Sequence, residues 1–131
     1  MKNQAIFLIL LVILTASAFA DTTNPANKEA EKHFEKANKL LKRMDYEGAI
    51  DEYSKVINLS SSDKAAQDAQ YWIGQSQFRA GKFDAAQATF AKLIKQYPTS
   101  AIIPVTKLMV ERVEKAKKTE EKRNVFPSQY N

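Results

Sequence analysis

The 131-residue chain holds one histidine, His33, the one side chain whose ordinary pKa lets it trade protons near neutral pH. It has no second His and no Cys to work with as a metal ligand or an activated nucleophile, so it reads as a partly exposed helix residue. The complete lack of Cys excludes disulfides, thiol chemistry and Cys-based zinc sites. Asp51-Glu52 and Glu120-Glu121 are paired carboxylates, the raw material of general acid–base catalysis. Neighbouring positions on a helix point about 100° apart, however, so neither pair converges. The run Ser60-Ser61-Ser62 before Asp63 is explained by helix capping better than by nucleophilic attack. Asn58-Leu59-Ser60 is formally a glycosylation sequon, relevant in a eukaryotic secretory pathway. No Gly-rich phosphate loop or cofactor motif is present. The expectation is a protein without catalytic residues, metal or cofactor, whose function lies in its surface.

The net charge of +5 is mild, and basic residues alternate with acids, as on an ordinary solvated surface. No nucleic-acid partner is expected. Residues 1–20 read MKNQAIFLILLVILTASAFA: one Lys, an apolar run from Ala5 to Leu14, then Ala18-Phe19-Ala20. That is the pattern of a secretory leader cut after Ala20. Ten apolar residues are too few to cross a bilayer about 30 Å thick as a helix. The expectation is a periplasmic or secreted protein with no stable membrane insertion after cleavage. A leader retained as an anchor is the alternative.

Past the leader, apolar spacing is helical throughout and no strand alternation appears. Residues 21–28 are polar, contain Pro25 and read as a linker. Residues 29–44 place Ala30, Phe34, Ala37, Leu40, Leu41 and Met44 on one face, with Asp45 as turn residue and cap of a second helix to Leu59. Ser62 or Asp63 caps a third helix running to about Ala80. Gly81 then supplies the positive φ of a helix C-terminus. The fourth helix buries Phe83, Ala86, Phe90, Leu93 and Ile94, and Pro98 stops it. A fifth starts at Ser100, tolerates Pro104 in its first turn and shows Val105, Leu108, Met109, Val113 and Ala116 as a stripe. Glu111–Lys115 and Glu114–Lys118 have the spacing of ion pairs on its exposed side. From about Thr119 the stripe is gone, and residues 120–131 read as a disordered tail.

DYEGAIDEYSKVI and KFDAAQATFAKLI can be laid over each other. Tyr46 falls on Phe83, Ala49 on Ala86, Tyr53 on Phe90 and Ile57 on Ile94, 37 residues apart in each case. In the preceding helices Phe34 falls on Tyr71, Ala37 on Gly74 and Leu41 on Phe78. A helical hairpin recurring at this spacing marks a solenoid. Here the chain resembles the tetratricopeptide repeat (TPR) family. The second unit carries Ile73-Gly74, the turn Gly81, the set Phe83, Ala86 and Phe90, and the terminal Pro98. The first unit has Met44 in place of the turn Gly and no terminal Pro. YWIGQSQF followed by GKFDAAQATFAKLIKQYPTS is similar to the periplasmic TPR domain of the Tol–Pal-associated cell-division coordinator and to TPR lipoproteins of outer-membrane assembly. The chain shows no coiled coil like the first group's and no Cys to carry the second group's lipid.

The resemblance implies an all-α solenoid of about two and a half TPR-like hairpins, five helices in all. One repeat covers residues 29–60, a second 61–98, and a capping helix 99–119. It implies a non-enzymatic scaffold or adaptor of a cell-envelope complex that takes a protein or peptide partner. The first helices of successive repeats would line a groove offering Phe34, Asn38, Leu41 and Lys42, then Tyr71, Gln75, Phe78 and Arg79, with Arg112 beyond. Asn38 and Gln75 would bond a partner's backbone, while Lys42 and Arg79 face acidic groups. Phe34, Leu41 and Phe78 serve equally well as core between repeats. The other reading is a self-associating structural protein that stacks through its exposed repeat ends as a homo-oligomer.

Overall fold

Where each helix starts and stops follows from a few residues at its ends. The computed structural model describes residues 24–60 and 62–125. The expected leader and residues 126–131 of the expected tail lie outside these described residues. The first helix, α1 (Pro25–Lys42), starts earlier than periodicity predicts, inside the stretch read as a linker. Asn24 Oδ1 accepts from the Ala26 N–H at 3.0 Å, and Pro25 fills the first helical position, where a missing N–H costs nothing. Next come α2 (Tyr46–Leu59), α3 (Asp63–Arg79), α4 (Phe83–Gln96) and α5 (Ile103–Val125). Ser62 occupies the cap position of α3, but its side chain makes no capping bond. The loop is closed instead by Ser60, whose Oγ accepts from the Ser62 N–H at 3.0 Å.

The turns inside the two hairpins are built alike. In the first, Met44 N–H donates to the Leu41 carbonyl at 3.1 Å and Asp45 N–H to the Leu40 carbonyl at 3.0 Å. In the second, Gly81 N–H donates to Phe78 at 3.0 Å and Lys82 N–H to Gln77 at 2.9 Å. This is the Schellman ending, which needs a left-handed residue: Met44 has φ 62° and Gly81 φ 75°. Met44 is therefore not an inward residue of α1, as its spacing suggests, but a turn residue that is 73% exposed. A Cβ in this conformation costs about 1–2 kcal/mol. Met44→Gly is expected to raise stability by about 1 kcal/mol, since no packing is lost and the strain relieved outweighs the extra freedom of the unfolded chain. Urea unfolding measures it.

Each helix packs against its neighbour in chain order, α1 on α2 through to α4 on α5, and the described residues form no strand. The result is an all-α, TPR-like solenoid of five helices. One core cluster joins Ala37 and Leu41 of α1, Ala49, Tyr53 and Val56 of α2, and Ala69 and Ile73 of α3. A second joins Ala86 and Phe90 of α4 to Met109 and Val113 of α5, with Tyr71 and Phe78 of α3 against it. The ring contacts recur with the repeat. Phe34 meets Tyr53 edge-on with centroids 5.3 Å apart, and their counterparts Tyr71 and Phe90 lie 5.8 Å apart. At Gly74 the Phe90 ring of α4 packs onto the α3 backbone: a Cβ there would stand 2.6 Å from the ring.

The closing helix departs from expectation. It starts at Ile103, so its buried face is Ile103, Thr106, Met109 and Val113. Val105 and Leu108 lie off that face and are 42% and 58% exposed. They sit where another helix would pack, and none follows among the described residues. Glu111–Lys115 and Glu114–Lys118 do not form ion pairs. Glu114 instead accepts from Gln87 at 3.5 Å, and Lys117 reaches across to Asp84 of α4. The helix also continues to Val125, past the point where its apolar stripe ends, with residues 120–125 exposed.

Candidate partner-binding surface

The lone histidine has a partner that sequence spacing did not reveal. His33 Nδ1 of α1 lies 2.5 Å from Glu52 Oε2 of α2. Lys55 and Lys36 donate to Glu52 Oε1 at 2.8 and 2.9 Å. As the divergence of neighbouring helix positions requires, Asp51 faces water while Glu52 is buried. Hydrogen bonds from Lys55 first and His33 next, with Lys36 adding to them, hold the Glu52 carboxyl at about 2 against the opposing effect of burial. A buried carboxylate bonded by two lysines and a histidine ties α1 to α2. Among the described residues no group of three or more His, Cys, Asp or Glu could hold a metal ion.

The sign of the pH effect follows from the direction of that shift. The folded-state value lies below the ordinary 4.5, so the stabilisation is complete above pH 4.5 and disappears as pH falls toward about 2. Lys36 and Lys55 are 62% and 49% exposed, and solvent screening limits the whole network to about 1–2 kcal/mol. Acid titration of the unfolding midpoint is expected to show this loss. Glu52→Gln should flatten that part of the profile.

The expected groove residues fall into two groups. Lys42 and Arg79, at the C-terminal ends of α1 and α3, are exposed. Tyr71, Gln75 and Phe78 are half-buried, while Leu41 is buried in the first core cluster and belongs to packing. The two amides expected to bond a partner's backbone each hold a tyrosine hydroxyl as well. Asn38 Oδ1 accepts from the Tyr53 hydroxyl at 2.7 Å, and Gln75 Nε2 donates to the Tyr71 hydroxyl at 2.8 Å. Burial pushes the Tyr53 phenol up to about 12, and the Arg79 charge works against it. Phe78 carries the Arg112 guanidinium 6.0 Å from its ring centre, a cation–π distance that brings α5 into the same surface.

Two of the clefts among the described residues adjoin these helices. One, of about 450 Å³, lies between the end of the second hairpin and α5, with Phe78 and Phe83 on one wall and Arg112, Lys115 and Arg123 on the other. The other, of about 690 Å³, runs between the N-terminal halves of α1 and α3. Phe34 is the one expected groove residue that lines it; the rest of its wall went unnoticed in the sequence. Glu31, Phe34 and Glu35 at helical spacing, with Asp68 one repeat on from Glu31, were the available signal.

The hairpin geometry is matched by a family comparison. The model of the tetratricopeptide repeat matches residues 68–100, the stretch that contains Gly74, Gly81, Phe90 and Pro98. No curated protein and no solved structure matches the chain. A tetratricopeptide match on a solenoid of stacked hairpins supports a protein–protein interaction module. No helix among the described residues is long and apolar enough to cross a membrane.

Proposed function

We propose that this protein is a non-enzymatic scaffold or adaptor of a cell-envelope complex, exported by the leader at residues 1–20 and working in the periplasm. Its partner is a protein segment held along the α1–α3–α5 side, and the Tol–Pal or outer-membrane assembly machinery is the setting its sequence resembles. The observation that carries this reading is the repeated hairpin, matched as a tetratricopeptide repeat at residues 68–100. Solenoids of this kind present continuous surfaces built from equivalent helices. Gln75 and Arg79 on α3, with Arg112 on α5, lie beside the aromatic pair Tyr71 and Phe78 and give that surface polar and cationic groups next to apolar anchors.

Affinity capture from envelope extracts tests it, comparing wild type with a Gln75→Glu, Arg79→Glu variant. The wild type is expected to retain a defined set of proteins that the variant loses. Equal recovery by both would count against the surface. A second reading is self-association through the end of the stack, which exposed Val105 and Leu108 favour. Light scattering separates the two, because a mass that stays monomeric across concentration removes the second.

A further inference from the structure

The cleft between the N-terminal halves of α1 and α3 differs in charge from the rest of the surface just described. Its floor is apolar: Ala30 and Val56 are 3% and 1% exposed, and Phe34 and Ala65 are half-buried beside them. Among the described residues its rim carries Glu31, Glu35 and Asp68 against a single lining cation, Lys28. Glu31 and Glu35 are exposed, form no ion pair among the described residues and stand four positions apart on α1, where like charges repel. Asp68 is bridged at 2.7 Å by Lys64, whose side chain is 82% exposed and easily displaced. The same two helices end in exposed Lys42 and Arg79, so charge changes sign from one end of the α1–α3 face to the other.

We infer that this cleft is a docking site for a basic segment of a partner protein, one that sets an aliphatic or aromatic side chain on the floor with Lys or Arg on either side. The inference rests on the proposed function for the existence of a protein partner, and adds its chemistry and orientation. The apolar floor needs a side chain to cover it. The unpaired carboxylates at its edge select positive neighbours and relieve the repulsion between Glu31 and Glu35 when those neighbours arrive. Lys42 and Arg79 repel a basic segment at the opposite end, so its cationic part lies over the start of α1. An acidic segment would meet the reverse arrangement and be turned away from this cleft.

The test uses two fluorescein-labelled peptides, KKLFLKK and QQLFLQQ, equal in apolar content and different in charge. Anisotropy titrations are made with the full protein, a Glu31→Lys, Glu35→Lys variant, and an Asp51→Lys, Glu111→Lys control that changes net charge equally elsewhere. Wild type is expected to bind the basic peptide about tenfold or more tighter than the neutral one, with the preference shrinking as salt shortens the range of the charges. The Glu31/Glu35 variant should lose the preference and the control keep most of it. Amide shifts in the wild-type complex should centre on Ala30, Phe34 and Ala65. If the Lys variant fails to fold by circular dichroism, Glu31→Gln, Glu35→Gln takes its place with the same expected loss. No binding of the basic peptide, equal affinity for both peptides, an unchanged preference in the variant, or shifts mapping to another face would each overturn the inference. Extract capture remains a separate readout. Partners captured without a basic-peptide preference would sink the cleft chemistry alone. A preference without captured partners would sink the envelope role alone.

Discussion

Phe90→Ala is expected to remove about 3–5 kcal/mol of stability, a large share of the roughly 5–15 kcal/mol a domain of this size holds. Phe90 is fully buried and sits where three helices meet. Its ring lies against Gly74 and Tyr71 of α3, and it belongs to the cluster that seats Met109 and Val113 of α5. The cavity left by truncation therefore opens between the second hairpin and the closing helix, and backbone collapse on one side would pull away from the other. Thermal unfolding followed at 222 nm should show a fall of more than about 10 °C. A shift of only a degree or two would mean that the ring does not hold the stack together. Because α5 contributes Arg112 to the surface beside Phe78, partner capture should weaken in the same variant before global unfolding.

Gly74→Ala is the second large effect, and its mechanism is opposite. A Cβ at this position would come within 2.6–2.9 Å of three atoms of the Phe90 ring. The ring is enclosed and cannot swing aside, so α3 and α4 must separate. Overpacking of this kind costs about 1–3 kcal/mol, which outweighs the roughly 1 kcal/mol that Ala gains over Gly in a helix interior. A smaller partner should relieve the clash. In a double-mutant cycle, Gly74→Ala with Phe90→Leu is expected to be more stable than the sum of the single changes, by about 0.5–3 kcal/mol. Additive energies in urea titrations would place the Gly74 backbone away from that ring. The first repeat already carries Ala37 at the equivalent position, buried in the same core cluster as Tyr53, so the demand for Gly belongs to the second hairpin.

Much of this scaffold could be read before any coordinates, because repeats write their packing twice. Tyr53 and Phe90, Ala49 and Ala86, and Ala37 and Gly74 mark the same contacts 37 residues apart, and all six are buried. Met44 misleads because an apolar residue at helical spacing cannot be told from a turn residue by periodicity. What decides is its positive φ, fixed by the backbone bonds that end α1. Val105 and Leu108 mislead for a related reason. The stripe on α5 is wider than the neighbour that covers it, and one helix packing on one other leaves part of it in water. The start of α1 was hidden because Pro25 suggests a linker, although at the first helical position it helps to begin a helix.

The surface was less legible than the core. Asn38 and Gln75 each spend one bond on a tyrosine hydroxyl and keep the rest of the amide for a partner, and helical spacing does not show that. His33 and Glu52 lie 19 residues apart on different helices, and only the packing of α1 on α2 brings them together. The acidic cleft draws on α1, the end of α2 and the start of α3, so its charge emerges only once α3 is laid beside α1. Sequence periodicity finds what recurs, and binding chemistry here lies mainly in what does not.

The recurrence itself is open to one direct observation. In a nuclear Overhauser spectrum of the intact protein, cross-peaks are expected between the rings of Phe34 and Tyr53, between those of Tyr71 and Phe90, and from the Gly74 α-protons to the Phe90 ring. All three together report two stacked hairpins of the same build. Ring contacts in one hairpin without their counterparts in the other, or a Gly74 with no aromatic neighbour, would contradict the repeat and the surface raised on it.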